Sequence, residues 1–103
     1  MVDFNISLNR LKDFMNKNIP NYMHDGILLY LEHGIKPGSF LYYIICNDLV
    51  NSIGSADINN KKSIFQYVDM IYNYFPSSAW GSKEKVEEWI KHCGFKYKDK
   101  NDL

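Results

Sequence analysis

The chain is short of several things, and each shortage removes a class of function. It has a single arginine, Arg10, against eleven lysines, and its acidic and basic residues balance at twelve each. Proteins that track a phosphate backbone carry a basic excess rich in arginine, so this balance weighs against general nucleic-acid binding. Cysteines number two, Cys46 and Cys93, far apart in sequence. A disulfide framework needs more of them and a secretory setting. Cys46 lies in an apolar run, where a buried reduced thiol is the plain expectation. No apolar run approaches a bilayer's span; the longest, FLYYIIC at 40–46, is far too short. The first residues, MVDFNISLNRLKDF, lack the basic and apolar regions of a signal peptide. A cytoplasmic protein that does not enter a membrane is therefore expected.

What is present is apolar material in quantity. Hydrophobic residues make up 46% of 103 and aromatics 16%, enough for one core and against disorder. Helical spacing dominates. Segment 4–16 sets Phe4, Leu8, Leu11 and Met15 on one face, and Pro20 closes it. Segment 22–33 repeats the pattern with Met23, Ile27, Tyr30 and Leu31, and Gly34 stands where a left-handed cap belongs. Gly26 inside this helix suggests a close helix–helix approach. Segment 38–53 carries Leu41, Ile44, Ile45 and Leu49 and reads as one helix ended by Gly54. Asp57 is a good N-cap for a helix beginning at Ile58, with Ile64, Phe65, Val68, Ile71, Tyr72 and Phe75 as its core stripe and Pro76 as its stop. Ser82 caps a last helix, 83–93, buried through Val86, Trp89, Ile90 and Cys93 and ended by Gly94. The expectation is an all-α fold: a compact bundle or orthogonal array of about five short helices in one domain, 1–94. A charged tail, 95–103, should fray.

Catalytic and metal patterns are missing. His24, His33 and His92 have no ligand spacing, and solvated or helix-terminal positions suit them better. No GxSxG elbow exists, and the adjacent His92–Cys93 pair points in different directions on a helix. A non-enzyme without cofactor or metal is expected. Asn47 and Asp48 interrupt an apolar helix; they either cap a helix end and face solvent or form the polar floor of a pocket. Tyr22, Tyr30, Tyr42, Tyr43, Tyr67, Tyr72, Tyr74 and Trp80 exceed what a small core hides. Such residues suit interfaces and ligand walls, which favours an oligomer or a binding protein.

The stretches LEHGIKPGSFL (31–41), NDL (47–49), AD (56–57), YNYFP (72–76) and WGSKEKVEEW (80–89) together resemble a family of small phage and prophage proteins. The resemblance covers roughly residues 23–92. Its landmarks are an H-G-I-x-P-G turn, an N-D-L helix, an A-D cap, a Y-N-x-x-P helix end and W-G-S. Two positions depart from it: Ser55 stands where members often have arginine, and Ala79 where they often have cysteine. An anion would then need another cation, such as Lys36 or Lys61.

The resemblance implies a phage protein at work in the cytoplasm of a host bacterium. The expected function is counter-defence: sequestering a nucleotide immune signal without turnover, in a pocket between protomers of an oligomer. The ligand-binding residues expected, from polar and glycine residues clustered at helix ends, are His33, Asn47, Asp48, Asp57, Tyr72, Asn73, Trp80, Gly81 and Ser82, with Trp80 stacking on a base or ribose. A structural corner is the plainer role for Trp80 and Gly81. The alternatives are a protein–protein inhibitor of a host defence effector and a DNA-associated phage regulator.

Overall fold

The computed structural model describes residues 4–95, with side chains from residue 8 onward. The expected tail beyond Phe95, and the placement of the Phe4 side chain, lie outside the described residues. Among the described residues the chain is all helical: α1 (Phe4–Asn18), α2 (His24–His33), α3 (Ser39–Ile45), α4 (Leu49–Ser55), α5 (Ile58–Lys62), α6 (Ile64–Tyr74) and α7 (Lys83–Lys91). Short 3₁₀ turns at Asn21–Met23 and Ser77–Ala79 join some of them. None of these helices is long and apolar enough to cross a membrane.

Seven helices replace the expected five because two expected helices are broken. Segment 38–53 stops at Ile45. Asn47 turns left-handed at φ 64°, and Asp48 starts α4 by accepting the Asn51 N–H at 3.3 Å. That is the helix-capping role weighed for Asp48, and it is why one helix became two. Helix α4 then runs through Gly54 to Ser55, so Gly54 is not its stop. The second break is at Ser63 (φ −102°, ψ 13°), which parts α5 from α6. Asp57 and Ser82 cap as expected, accepting N–H from Asn60 at 2.8 Å and from Lys85 at 3.2 Å.

The core is drawn from α1, α2, α3, α6 and α7. Its fully enclosed centre includes Leu11, Met15, Ile27, Leu41, Ile45, Met70 and Val86. Two buried aromatics keep their polar ends satisfied. The Tyr30 hydroxyl donates to the Ala79 carbonyl at 2.6 Å, and the Tyr67 hydroxyl to Asn60 Oδ1 at 2.6 Å. Burial pushes both hydroxyls' pKa values up, so they stay protonated donors.

The ends of α2 and α7 meet backbone to backbone. Gly34 (φ 67°) caps α2 in the left-handed region, and Gly94 (φ 66°) follows α7. A Cβ on Gly94 would lie 2.6 Å from the Leu31 carbonyl oxygen. The close approach expected at Gly26 is therefore found here instead; Gly26 has nothing within 4 Å of its Cβ position. In the same corner Trp89 Nε1–H donates to the Tyr30 carbonyl at 2.9 Å, serving one of α2's terminal acceptors. Phe95 then packs its edge on Trp89, with ring centroids 5.2 Å apart.

The largest departure concerns facing. Phe65, Val68 and Tyr72, expected in the core, are 79%, 48% and 74% exposed, whereas Tyr67 and Met70 are buried. Leu49, expected inside, is also exposed, and so is Cys93. Helices α4 and α5 bury no hydrophobic residue at all among the described core. Their buried members are Ser52 and Asn60, while Leu49, Val50, Ile53 and Ile58 point outward. These two helices are polar inside and apolar outside.

Candidate functional site

Where α3, α6 and the 3₁₀ corner converge, an apolar groove of about 220 Å³ opens. Ile44, Leu49, Val68 and Ile71 form its floor and flanks, Tyr72 and Trp80 its aromatic walls, and Asn47 its one polar lining residue. Tyr72 and Trp80 stand edge to face, with centroids 6.5 Å apart and planes at 65°. That is a favourable aromatic geometry which leaves ring faces to others. The corner is tied down from below. Gly81 (φ 118°) donates its N–H to the Ile45 carbonyl at 2.8 Å, holding the end of α3 against the start of α7. Trp80 is half-buried and packs partly on the core. It acts as a corner plug and a groove wall together.

The structure brings three of the expected site residues into this groove: Asn47, Tyr72 and Trp80. Gly81 and Ser82 adjoin it in the chain, but the Gly81 N–H and the Ser82 hydroxyl already have the partners given above. Asp48 flanks Asn47, and its carboxylate is held by Asn51, whose side-chain amide donates to it at 2.8 Å. Asn73 turns back on its own helix, donating to the Asp69 carbonyl at 2.9 Å. His33 ends α2 beside Glu32, at 3.8 Å. None of these last three lines the groove.

Asp57 lies in a structural chain instead. Its carboxylate accepts the Tyr22 hydroxyl at 2.5 Å and the Asn60 N–H at 2.8 Å. Asn60 in turn holds Tyr67 and reaches Met23 Sδ at 3.6 Å. The Tyr22 hydroxyl first, and the Asn60 N–H second, hold the Asp57 carboxyl below its ordinary range. A carboxyl with a lowered folded-state pKa supports the fold above the usual aspartate value of about 3.9, and that support is lost as pH falls through the lower folded value. Asp57→Asn should therefore lower Tm near neutral pH and flatten its fall toward about pH 3. Thermal melts of both proteins across that range check this; parallel curves would show that Asp57 carries no such linkage.

Chemistry of the nucleophilic kind finds little support around the groove. The Cys46 thiol is half-buried, and burial pushes its pKa up, which keeps it protonated at neutral pH. Beside it, Tyr42 donates to Glu87 at 2.5 Å and lies 4.6 Å beneath the Lys36 ammonium, a link between α3 and α7. Among the described residues no three His, Cys, Asp or Glu side chains converge as metal ligands would.

A second groove of about 250 Å³ lies between α1 and the end of α6, lined by Arg10, Asp13, Phe14, Lys17, Asn18 and Tyr74. Its acid stands among its two bases, and sequence reading gave it no role. The residues missed at the first groove, Ile44, Leu49, Val68 and Ile71, looked like core. Comparison with models of protein families, with curated proteins and with solved structures returns no match to this chain.

Proposed function

We propose that this is a non-catalytic binding protein that holds the planar aromatic part of a nucleotide-type signal against the ring faces left free by the Tyr72–Trp80 pair, with Asn47 meeting its polar edge. The observation that carries the reading is the aromatic pair at the mouth of an apolar groove with one polar lining residue. Small-molecule sites are built this way, from apolar walls and a few placed polar groups. The groove's size limits what it takes. At about 220 Å³ it falls below the roughly 300–1,000 Å³ of a full ligand pocket, so it receives a ring and not a whole nucleotide. The similarity to phage and prophage proteins suggests a ligand from the antiviral signalling of a host bacterium, removed from circulation by sequestration.

A protein-binding reading has its own observation, the exposed apolar residues Val50, Ile58 and Phe65 on α4, α5 and α6. It predicts a stable complex with a host defence protein and indifference to nucleotides.

Thermal melting against cyclic di- and trinucleotides, cyclic ADP-ribose isomers and NAD separates the two. A ligand at a hundred times its Kd should stabilise the fold by about 2.7 kcal/mol, several degrees for a domain of this size. The shift should vanish in Tyr72→Ala, whose side chain is exposed and whose loss leaves the core intact. A shift lost in Arg10→Gln instead would move the site to the second groove. A flat panel would overturn the nucleotide reading in favour of the protein-binding one.

A further inference from the structure

The outward sides of α4, α5 and α6 carry more exposed apolar residues than a monomer's surface needs. Phe65 and Tyr72 are both about three-quarters exposed, and Val50 is 82% exposed. With aromatics worth roughly 150–250 Å² each when buried, these three and their aliphatic neighbours offer on the order of 700 Å² of apolar surface. The largest patch on a typical monomer is about 300–600 Å². One side of a standard specific interface is about 800 Å². Ordinary amphipathic helices would also not place Ser52 and Asn60 inward and Leu49, Val50, Ile53 and Ile58 outward. The outward residues are accounted for if the face is an interface.

We infer that the occupant is a second copy of this chain, paired through α6 about a twofold axis perpendicular to that helix, and that each copy completes the other's groove. A twofold interface must be complementary to itself. The stripe Phe65, Val68, Tyr72 reads nearly the same in both directions, so antiparallel pairing sets the partner's Phe65 opposite Tyr72, with Val68 near the axis. Asp69 lies about 100° around the helix from Val68, off that line, so the seam brings apolar to apolar without opposing carboxylates.

Val68 and Tyr72 of the stripe line the groove, which lies toward the Tyr72 end. The partner's Phe65 then closes it, and the partner's Lys61 and Lys62, at the end of α5 just before the Ser63 break, are carried toward its mouth. The groove's own lining contains no cation, so these lysines supply the positive charge that a phosphate-bearing ligand needs. The completion of the site rests on the ligand reading above; the pairing does not.

Analytical ultracentrifugation with light scattering tests the pairing on the full chain. Wild type should sediment as a dimer and Phe65→Glu as a folded monomer with an unchanged helical spectrum, since Phe65 contributes nothing to the core. A wild-type monomer at every concentration, another stoichiometry, or a dimer that survives Phe65→Glu would overturn it. The double substitution Lys61→Gln with Lys62→Gln tests the site. It should stay dimeric and bind the nucleotide identified by melting at least about tenfold more weakly, the loss of a charge-assisted contact. Unchanged affinity would overturn the lysines' role. A dimer that binds none of the nucleotides would uphold the pairing and overturn the completed site.

Discussion

Trp89→Ala should remove a large share of the fold's stability. Removing a buried tryptophan costs about 3–5 kcal/mol through lost burial and the cavity that remains. Domains of this kind have only about 5–15 kcal/mol in total. Trp89 does more than fill space. It is 3% exposed, stands 6.4 Å from the Tyr30 ring, carries Phe95 on its other side and serves the Tyr30 carbonyl. Its loss should lower Tm by roughly 12–40 °C at the 4–8 °C per kcal/mol expected for about this length. Trp89→Phe keeps most of the volume and loses the indole donor, so it should cost about 1–3 kcal/mol, the penalty of one weakened buried hydrogen-bond site. Calorimetric melts of the three proteins decide it. A fall of only a few degrees in Trp89→Ala would mean that α7 is not integral to the core.

Gly94→Ala should be nearly as damaging, for a different reason. The left-handed conformation at φ 66° costs a residue with a Cβ roughly 1–2 kcal/mol. The new methyl would also sit 2.6 Å from the Leu31 carbonyl oxygen and 2.8 Å from the Gly34 nitrogen. Both atoms are backbone, so relief requires moving two helix ends apart, an overpacking cost of about 1–3 kcal/mol more. The expected total is about 2–5 kcal/mol. Gly26→Ala is the matched control. It lies in helix α2 with open space around its Cβ position and should gain up to about 1 kcal/mol. Equal effects of the two substitutions would contradict the backbone contact between α2 and the end of α7.

Local chemistry was legible in the sequence wherever it acts over a few residues. Asp57 and Ser82 as N-caps, Gly34 as a left-handed C-cap and Pro76 beyond the end of α6 all follow from side-chain and dihedral rules that need no tertiary partner. The break at Asn47–Asp48 follows from the same rules, but the apolar residues on both sides masked it. Helix facing was harder. Helix α6 has a polar stripe of Gln66, Asp69 and Asn73, and Phe65 and Tyr72 border it, so their apolar character hid a position that helical spacing places near solvent. Tyr67 looked like a surface residue because of its hydroxyl, yet Asn60, seven residues earlier, satisfies it in the interior. The signal for the true facing lay in α4 and α5, where Ser52 and Asn60 occupy the inward positions.

The candidate site divides along similar lines. Trp80, Tyr72 and Asn47 were legible because an aromatic surplus and an interrupted helix mark places where chain departs from core logic, and the three converge. Asp57 was not, since its partner Tyr22 lies 35 residues away, whereas Asn73 turns back on the Asp69 carbonyl of its own helix, a local bond that competes with any ligand role. The apolar floor carries no sequence mark at all, because Ile44 and Ile71 differ from core isoleucines only in which side of a helix meets the groove.

Fluorescence of Trp80 tests most directly whether the groove is a ligand site. The chain has two tryptophans, and Trp89→Phe leaves Trp80 as the sole reporter. Titrating that variant with the nucleotide that most stabilises the fold should quench or shift the Trp80 emission, saturating at the Kd set by calorimetry, as a ring stacks against the groove wall. Emission unchanged through saturation of binding would place the ligand elsewhere and contradict the groove's assigned role.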